Sequence, residues 1–257
     1  MKHIYALACG ALLFSACGKT DSHATLSIYG GRPVLNEQRL NAVALTDNNG
    51  FFCTGTAVTP TLVITAAHCT DGESPDNVRI YVGNGITGGN MQGQYAVTKF
   101  VANPLYNQAD PESDHDSAYL VLKTPLDLPA SAYTPILTDP VEMKELLRDG
   151  QDTYLVGFGI DKKQNAGIKN EVKAKVRKVL GSEVSLGGAG RDGCQGDSGG
   201  PAYGQLTSGE WRVYGITSRG GDCGNGGIWG LMSDNICWVA KDSGVTDLSL
   251  PAGTCPQ

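Results

Sequence analysis

Leu62-Val63-Ile64-Thr65 is a short run rich in β-branched side chains, and its texture is repeated along the chain. Comparable runs are Thr56-Ala57-Val58, Val78-Arg79-Ile80-Tyr81-Val82, Ala118-Tyr119-Leu120-Val121-Leu122, Thr153-Tyr154-Leu155-Val156 and Val213-Tyr214-Gly215-Ile216. Clusters of Gly, Pro, Asn and Asp separate them. Short strands at regular intervals with turn residues between them predict an all-β sandwich or barrel. Two stretches read as helical, 141–148 and 235–241. The glycine-rich segment 83–93 lacks a following helix and a Lys-Ser/Thr pair, so it reads as a hairpin loop and not a phosphate cradle.

Composition agrees with many short strands. The chain has 257 residues, 35 of them glycine, with 18% charged and 7% aromatic residues. That mix suits strands joined by tight turns better than long surface helices. A hydrophobic fraction of 40% is enough for a core. All-β chains of this length fold as one domain or two. The formal charge of -6 gives no basic footprint, so nucleic acid is not expected as a partner.

Residues 1–16 read as an export signal, with Lys2 as the basic start and an apolar run too short to span a bilayer. The run closes on Leu13-Phe14-Ser15-Ala16-Cys17, which resembles a bacterial lipobox and makes Cys17 the expected lipidation site. Residues 17–27 are polar and read as a linker or propeptide, leaving 28–257 as the folded domain. Nothing later is apolar enough for a membrane span, so contact with a membrane is expected only through a lipid on Cys17. The expected location is the cell envelope or the extracellular medium. Export implies an oxidising compartment. Apart from Cys9 and Cys17, six cysteines remain: Cys53, Cys69, Cys194, Cys223, Cys237 and Cys255. Six cysteines allow fifteen pairings, and spacing does not choose among them.

The chemistry centres on Gly196-Asp197-Ser198-Gly199-Gly200-Pro201. A serine hydroxyl is a poor nucleophile at neutral pH without a base and a group to hold that base. It also needs donors aimed at the developing oxyanion. Glycines on both sides of Ser198 let the backbone turn sharply, bringing the N–H groups of Gly196 and Ser198 to one point.

With Asp192-Gly193-Cys194-Gln195 before it, this block resembles the trypsin/chymotrypsin family of serine peptidases. Further motifs follow in the family's order. Ile28-Tyr29-Gly30-Gly31 resembles the mature N-terminus, and Thr65-Ala66-Ala67-His68-Cys69 the block around the general base. Asp116-Ser117-Ala118-Tyr119-Leu120-Val121-Leu122 resembles the block around the aspartate, and Gly157-Phe158-Gly159 the family's Gly-Trp-Gly. Ile216-Thr217-Ser218-Arg219-Gly220 resembles the strand lining the substrate cleft. The resemblance runs from about residue 28 to 240, with 48 residues from His68 to Asp116 and 82 from Asp116 to Ser198. It implies two packed six-stranded antiparallel β-barrels with a short C-terminal helix.

The resemblance also implies roles. His68 would act as general base and acid, a double role that suits an imidazole. Asp116 would orient His68; Asp114 is a competitor two positions away, and His115 reads as an exposed loop residue. Asp192 would sit at the base of a pocket for Lys or Arg, with Gly220 and Gly227 as pocket walls and Ser218 on the cleft-lining strand. Asp197 would pair with the α-amino group freed by cleavage before Ile28, which implies a zymogen and an activating protease. The implied disulfides are Cys53–Cys69, Cys194–Cys223 and Cys237–Cys255. No cofactor and no metal site are expected, and the partners are protein or peptide substrates of a monomer.

Three positions depart from the family's pattern. Ser27 stands where Lys or Arg usually precedes the cut, which argues against self-activation. Gly193 replaces a serine beside Asp192. Arg219 replaces a tryptophan after Ser218, removing an apolar platform for residues upstream of the cut. Two alternatives are a non-catalytic binding protein on the same fold and an α/β-type esterase. In the second class the serine precedes the aspartate and histidine, unlike here.

Overall fold

A computed structural model describes residues 28–255 except Asn36 and Pro111. The export signal at 1–16, Cys17 and the 17–27 linker with Ser27 lie outside the described residues.

The β-branched runs become strands. A two-residue β1 (Arg32–Pro33) precedes β2 (Ala42–Asp47), β3 (Gly50–Thr59), β4 (Leu62–Thr65), β5 (Arg79–Gly83), β6 (Met91–Ala102) and β7 (Ala118–Leu122). Strands β2 to β7 close into a six-stranded antiparallel barrel in the order β2-β3-β4-β7-β6-β5. Two of the runs meet directly, with Leu62 opposite Val121 and Thr65 opposite Ala118. Segment 83–93 is the connection of the β5–β6 hairpin.

After the barrel comes helix α1 (Pro140–Leu146). The Asp139 carboxylate caps it, accepting from the N–H groups of Val141 at 2.7 Å and Glu142 at 3.0 Å, and Pro140 fits its first turn. Then follow β8 (Asp152–Gly157), β9 (Asn170–Leu180), β10 (Glu183–Leu186), β11 (Pro201–Gln205), β12 (Trp211–Gly220) and β13 (Gly227–Leu231). Their order is β9-β10-β13-β12-β11-β8, and pairing of β8 with β9 closes a second six-stranded barrel, with β1 added on β9. Strand β9 alternates buried Val172, Ala174 and Val176 with exposed Lys173, Lys175 and Arg177, the period-two pattern of a strand with one face in the core.

The second helical stretch is α2 (Met232–Ser243), ended by Gly244 in the left-handed region. It leaves the second barrel but packs on the first. Met232, Ile236 and Val239 join a core cluster that takes in the first barrel together with Val156, Tyr203, Val213 and Ile216 of the second, and the Tyr119 hydroxyl donates to Asp242 Oδ2 at 2.6 Å. The seam between the barrels holds Ala44, Tyr81 and Phe158, with the Tyr81 ring edge-on to Phe158. All three expected disulfides are present: Cys53–Cys69, Cys194–Cys223 and Cys237–Cys255.

Candidate active site

The first barrel supplies a histidine and an aspartate. His68 lies in a 3-10 turn (Ala67–Thr70) directly after β4, stapled to β3 by Cys53–Cys69. Asp116 immediately precedes Ser117 and β7, the neighbour of β4, so sheet pairing brings the two side chains together. Asp116 Oδ1 accepts from the His68 backbone N–H at 3.0 Å, and Oδ2 lies 2.8 Å from His68 Nδ1. The Ser218 hydroxyl, from β12, donates to the same Oδ2 at 2.6 Å. Burial alone would push the Asp116 carboxyl up. The hydrogen bond and charge of His68, with the Ser218 hydroxyl and the His68 N–H, outweigh it and hold the carboxyl below the usual range.

The competing aspartate is elsewhere. Asp114 is more than half exposed, accepts from Ser182 Oγ at 3.2 Å and lies 3.6 Å from His115 Nε2. His115, expected to be exposed, is half-buried with φ of 62°.

The second barrel supplies the serine. The Ser198 carbonyl accepts from the Thr54 N–H of β3 at 2.9 Å, which seats the Ser198 loop on the first barrel. Gly199 has φ of 77°, and a Cβ there would lie 1.9 Å from Thr65 Oγ1 and 2.7 Å from Ala66 N. Only glycine permits that approach, and it puts Ser198 beside the turn that carries His68. Among the described residues no hydrogen bond joins Ser198 Oγ to His68 Nε2, and the N–H groups of Gly196 and Ser198 have no acceptor.

Ser198 opens onto a pocket of about 180 Å³ that also reaches Asp192, Ser218, Gly220, Gly227 and Trp229. Asp192 is 3% exposed. It accepts from the N–H groups of Gly193 at 2.8 Å and Gly226 at 2.7 Å. Burial raises its carboxyl; the backbone donors of Gly226, Gly193 and Gly224 and the charge of Arg177 oppose that only partly. Gly227 has a further reason to be glycine, since a Cβ would lie 2.7 Å from the Arg219 carbonyl of the paired strand.

Asp197 points away from the pocket and is 1% exposed. Its Oδ1 accepts from Gly159 N and its Oδ2 from Cys194 N, both at 2.8 Å. A Cβ on Gly157 would lie 2.2 Å from Asp197 Oδ1 and one on Gly159 2.6 Å from its Cγ, so Gly157-Phe158-Gly159 makes the hollow for this carboxylate. No cation pairs with it among the described residues, and burial pushes it up to about 7 against those two N–H donors. Ile28 is buried in the second barrel's core, and the Tyr29 carbonyl accepts from Asp192 N at 3.0 Å.

Cys53, His68 and Cys69 present ligand atoms within 4.8 Å of one another, but both sulfurs are in a disulfide and offer no thiolate.

Some contributors have no sequence motif. The Thr54 hydroxyl donates to the Gly196 carbonyl at 2.8 Å and accepts from Phe158 N at 3.2 Å, tying the Ser198 loop and the Gly157–Gly159 turn to β3. Asn235 of α2 accepts from Asn103 at 2.9 Å and from Ser117 at 2.8 Å, fixing the strand that carries Asp116. The only textual hint for Thr54 is its place after Cys53.

A His–Asp pair delivered by one barrel and a serine by the other is the layout of the two-barrel serine peptidases. The trypsin family model matches residues 28–234, and the chain belongs to this family. It is 29% identical to glucanase inhibitor protein 1 of Phytophthora infestans, over 94% of this chain and 97% of that one. It is also 29% identical to a trypsin-like protease of Streptomyces glaucescens, over 85% and 82%. Identity to vitamin K-dependent protein C of Mus musculus is 26%, and the match covers 81% of this chain but only 50% of that longer protein.

Proposed function

We propose that the chain is an exported serine endopeptidase that cleaves peptide bonds after Lys or Arg, made as a zymogen and activated by cleavage before Ile28. The observation that carries the specificity is a single pocket joining Ser198 to a buried carboxylate, Asp192, whose burial is opposed only partly by backbone donors and the charge of Arg177. A cationic side chain entering that pocket supplies the missing charge, whereas a neutral one leaves the desolvated carboxylate unpaired.

In the reaction, His68 Nε2 takes the Ser198 proton as Oγ attacks the scissile carbonyl. Asp116, accepting from Nδ1–H, fixes the tautomer and stabilises the imidazolium. The free N–H groups of Gly196 and Ser198 receive the oxyanion. His68 then protonates the leaving amine, and water hydrolyses the acyl-enzyme with His68 again as base. The buried, unpaired Asp197 supports the activation step, because an α-amino group freed at Ile28 would give it a cation. The three disulfides support an oxidising location. Lipidation of Cys17 and processing by a different protease stay part of this proposal. So does the resulting idea that one cut both activates the enzyme and frees it from a membrane. Membrane-bound active enzyme with residues 27 and 28 still joined would disprove that last step.

The test is hydrolysis of short Arg and Lys amides by protein with a verified Ile28 terminus, compared with Ser198→Ala. Equal turnover of Phe or Leu amides would refute the Asp192 assignment. A second reading, a binding protein without turnover, has one observation in its favour, the similarity to an inhibitor protein. Correctly cut protein with no amidase activity would favour it.

A further inference from the structure

The wall beside the Asp192 pocket is built from charge. Arg219 follows Ser218 in β12, and its guanidinium meets Glu183 of β10 in a two-pronged contact of 2.5 and 2.9 Å. The Glu183 side chain is 8% exposed, so this pair is a fixture of the wall. The remaining Nε lies 3.5 Å from Glu112 Oε2, and that side chain is 81% exposed. Beyond Arg219 runs a groove of about 500 Å³, which shares Arg219, Gly220, Gly221 and Gly227 with the Asp192 pocket. Arg177 lines it as well; its hydrogen bond goes to the Asn225 carbonyl at 3.2 Å, and among the described residues no carboxylate lies within ion-pair distance of it.

An extended peptide has a place to lie along this wall. Pairing of β11 with β12 ends at Pro201 opposite Ile216, while β13 covers the other edge of β12 as far as Gly220. The edge of 218–220 on the cleft side is therefore open for an added strand. Side chains two residues apart on such a strand point to one face, about 6.6 Å apart. With one side chain in the Asp192 pocket, those preceding it pass over Arg219 and the groove.

We propose that Arg219 reads a carboxylate in the substrate. Peptides with Asp or Glu one to three residues before the Lys or Arg in the pocket are selected, the carboxylate displacing Glu112 from Arg219 Nε and facing Arg177. Glu112 marks the place: it is an acidic side chain of the chain itself, held by one exposed contact of the kind that contributes little stability. Its displacement leaves two guanidinium groups facing the groove against the single carboxylate of Glu183. The inference rests on the Lys/Arg reading of Asp192 for the position of the peptide, but it is judged by a separate ratio.

The experiment compares peptide pairs that differ only by Asp or Asn at each of the three preceding positions, with protein cut before Ile28. At one position the Asp peptide should have kcat/KM about fivefold higher at low ionic strength, and the advantage should shrink in high salt. Glu112→Gln should widen the ratio. The paired change R219Q/E183Q leaves no buried charge unmatched, and it should bring the ratio of Asp to Asn peptide to one. Equal rates for Asp and Asn at all positions, or a preference that survives the paired change, would overturn the proposal. Should the cut protein hydrolyse neither peptide, the endopeptidase reading fails. Affinities of the same peptides for Ser198→Ala then decide the role of Arg219, tighter Asp binding supporting it and equal binding overturning it.

Discussion

The two barrels handle buried acid in opposite ways. In the first, Asp116 is 4% exposed but satisfied within the chain by His68 and Ser218, and its carboxyl is held low. In the second, Asp192 and Asp197 are as deeply buried, have only backbone N–H donors among the described residues, with the charge of Arg177 nearby at Asp192, and are pushed up. The backbones differ in the same sense. From residue 187 to residue 226 eight glycines have positive φ, whereas no residue between 54 and 71 does. One barrel holds a finished hydrogen-bonded pair on regular strands. The other holds loops shaped around two carboxylates that still lack a cation. On the proposed function, each of these carboxylates marks a place for a cation: a substrate side chain at Asp192 and a new N-terminus at Asp197.

Several changes would sharpen or break this contrast. The largest effect is expected at Asp192. Asp192→Asn should lower kcat/KM for Arg amides by about 10⁴-fold, in line with the loss of a buried polar contact made for one substrate group. Turnover of Leu amides should hardly change, as a substrate panel would reveal. Asp116→Asn should lower kcat by a comparable factor of about 10⁴, through a wrong His68 tautomer. Because Asp116 already has its partners, KM should stay constant in steady-state kinetics; a large rise in KM would mean that Asp116 shapes the pocket.

Asp197 gives a pH signature. Its carboxyl rises from an ordinary value of 3.8 to about 7 in the uncut chain. The folded state thus holds a proton that the unfolded state has lost between those pH values, so stability falls as pH rises from about 4 to 7 and is flat on either side. Denaturant titrations should show this slope in the uncut protein and not in Asp197→Asn. Cleavage before Ile28 should remove it as well, and a slope unchanged by cleavage would count against the amino-group pairing.

Lys169 has the opposite sign. It is 2% exposed in the seam, donates to the Arg39 carbonyl at 3.0 Å, and burial pulls it down to about 7 from 10.5. The unfolded chain binds the extra proton between those values, so stability rises with pH from about 7 to 10. Lys169→Met should flatten that rise and raise the melting temperature at pH 7. The smallest change is expected for Thr54→Val, which leaves Phe158 N–H without its acceptor and should cost about 1–3 kcal/mol in urea melts.

Much of the architecture was legible in short runs. Leu62–Thr65 and Ala118–Leu122 coincide with β4 and β7, and the two helical stretches became α1 and α2 with shifts of a few residues. The residues with named roles lay in contiguous motifs, so the resemblance brought forward His68, Asp116, Asp192 and Ser198 together. Choosing Asp116 over Asp114 with certainty required coordinates, because a loop with a positive φ at His115 separates the two carboxylates. Thr54, Asn235, Glu183 and Glu112 were not legible. Each acts through a partner distant in the chain, and a threonine or glutamate in a strand or loop has no local mark of that contact.

The sequence by itself determined the strands, the glycine turns around Ser198 and the residue types of the site, because those depend on neighbours one to four positions away. Only the tertiary structure decided which acids were satisfied. Burial and hydrogen bonding depend on what packs against a side chain from the other barrel. Ser198 made the contrast concrete: its local sequence marked a nucleophile, and the fold then set its carbonyl on Thr54, its pocket on Asp192 and its wall on Arg219 and Glu183.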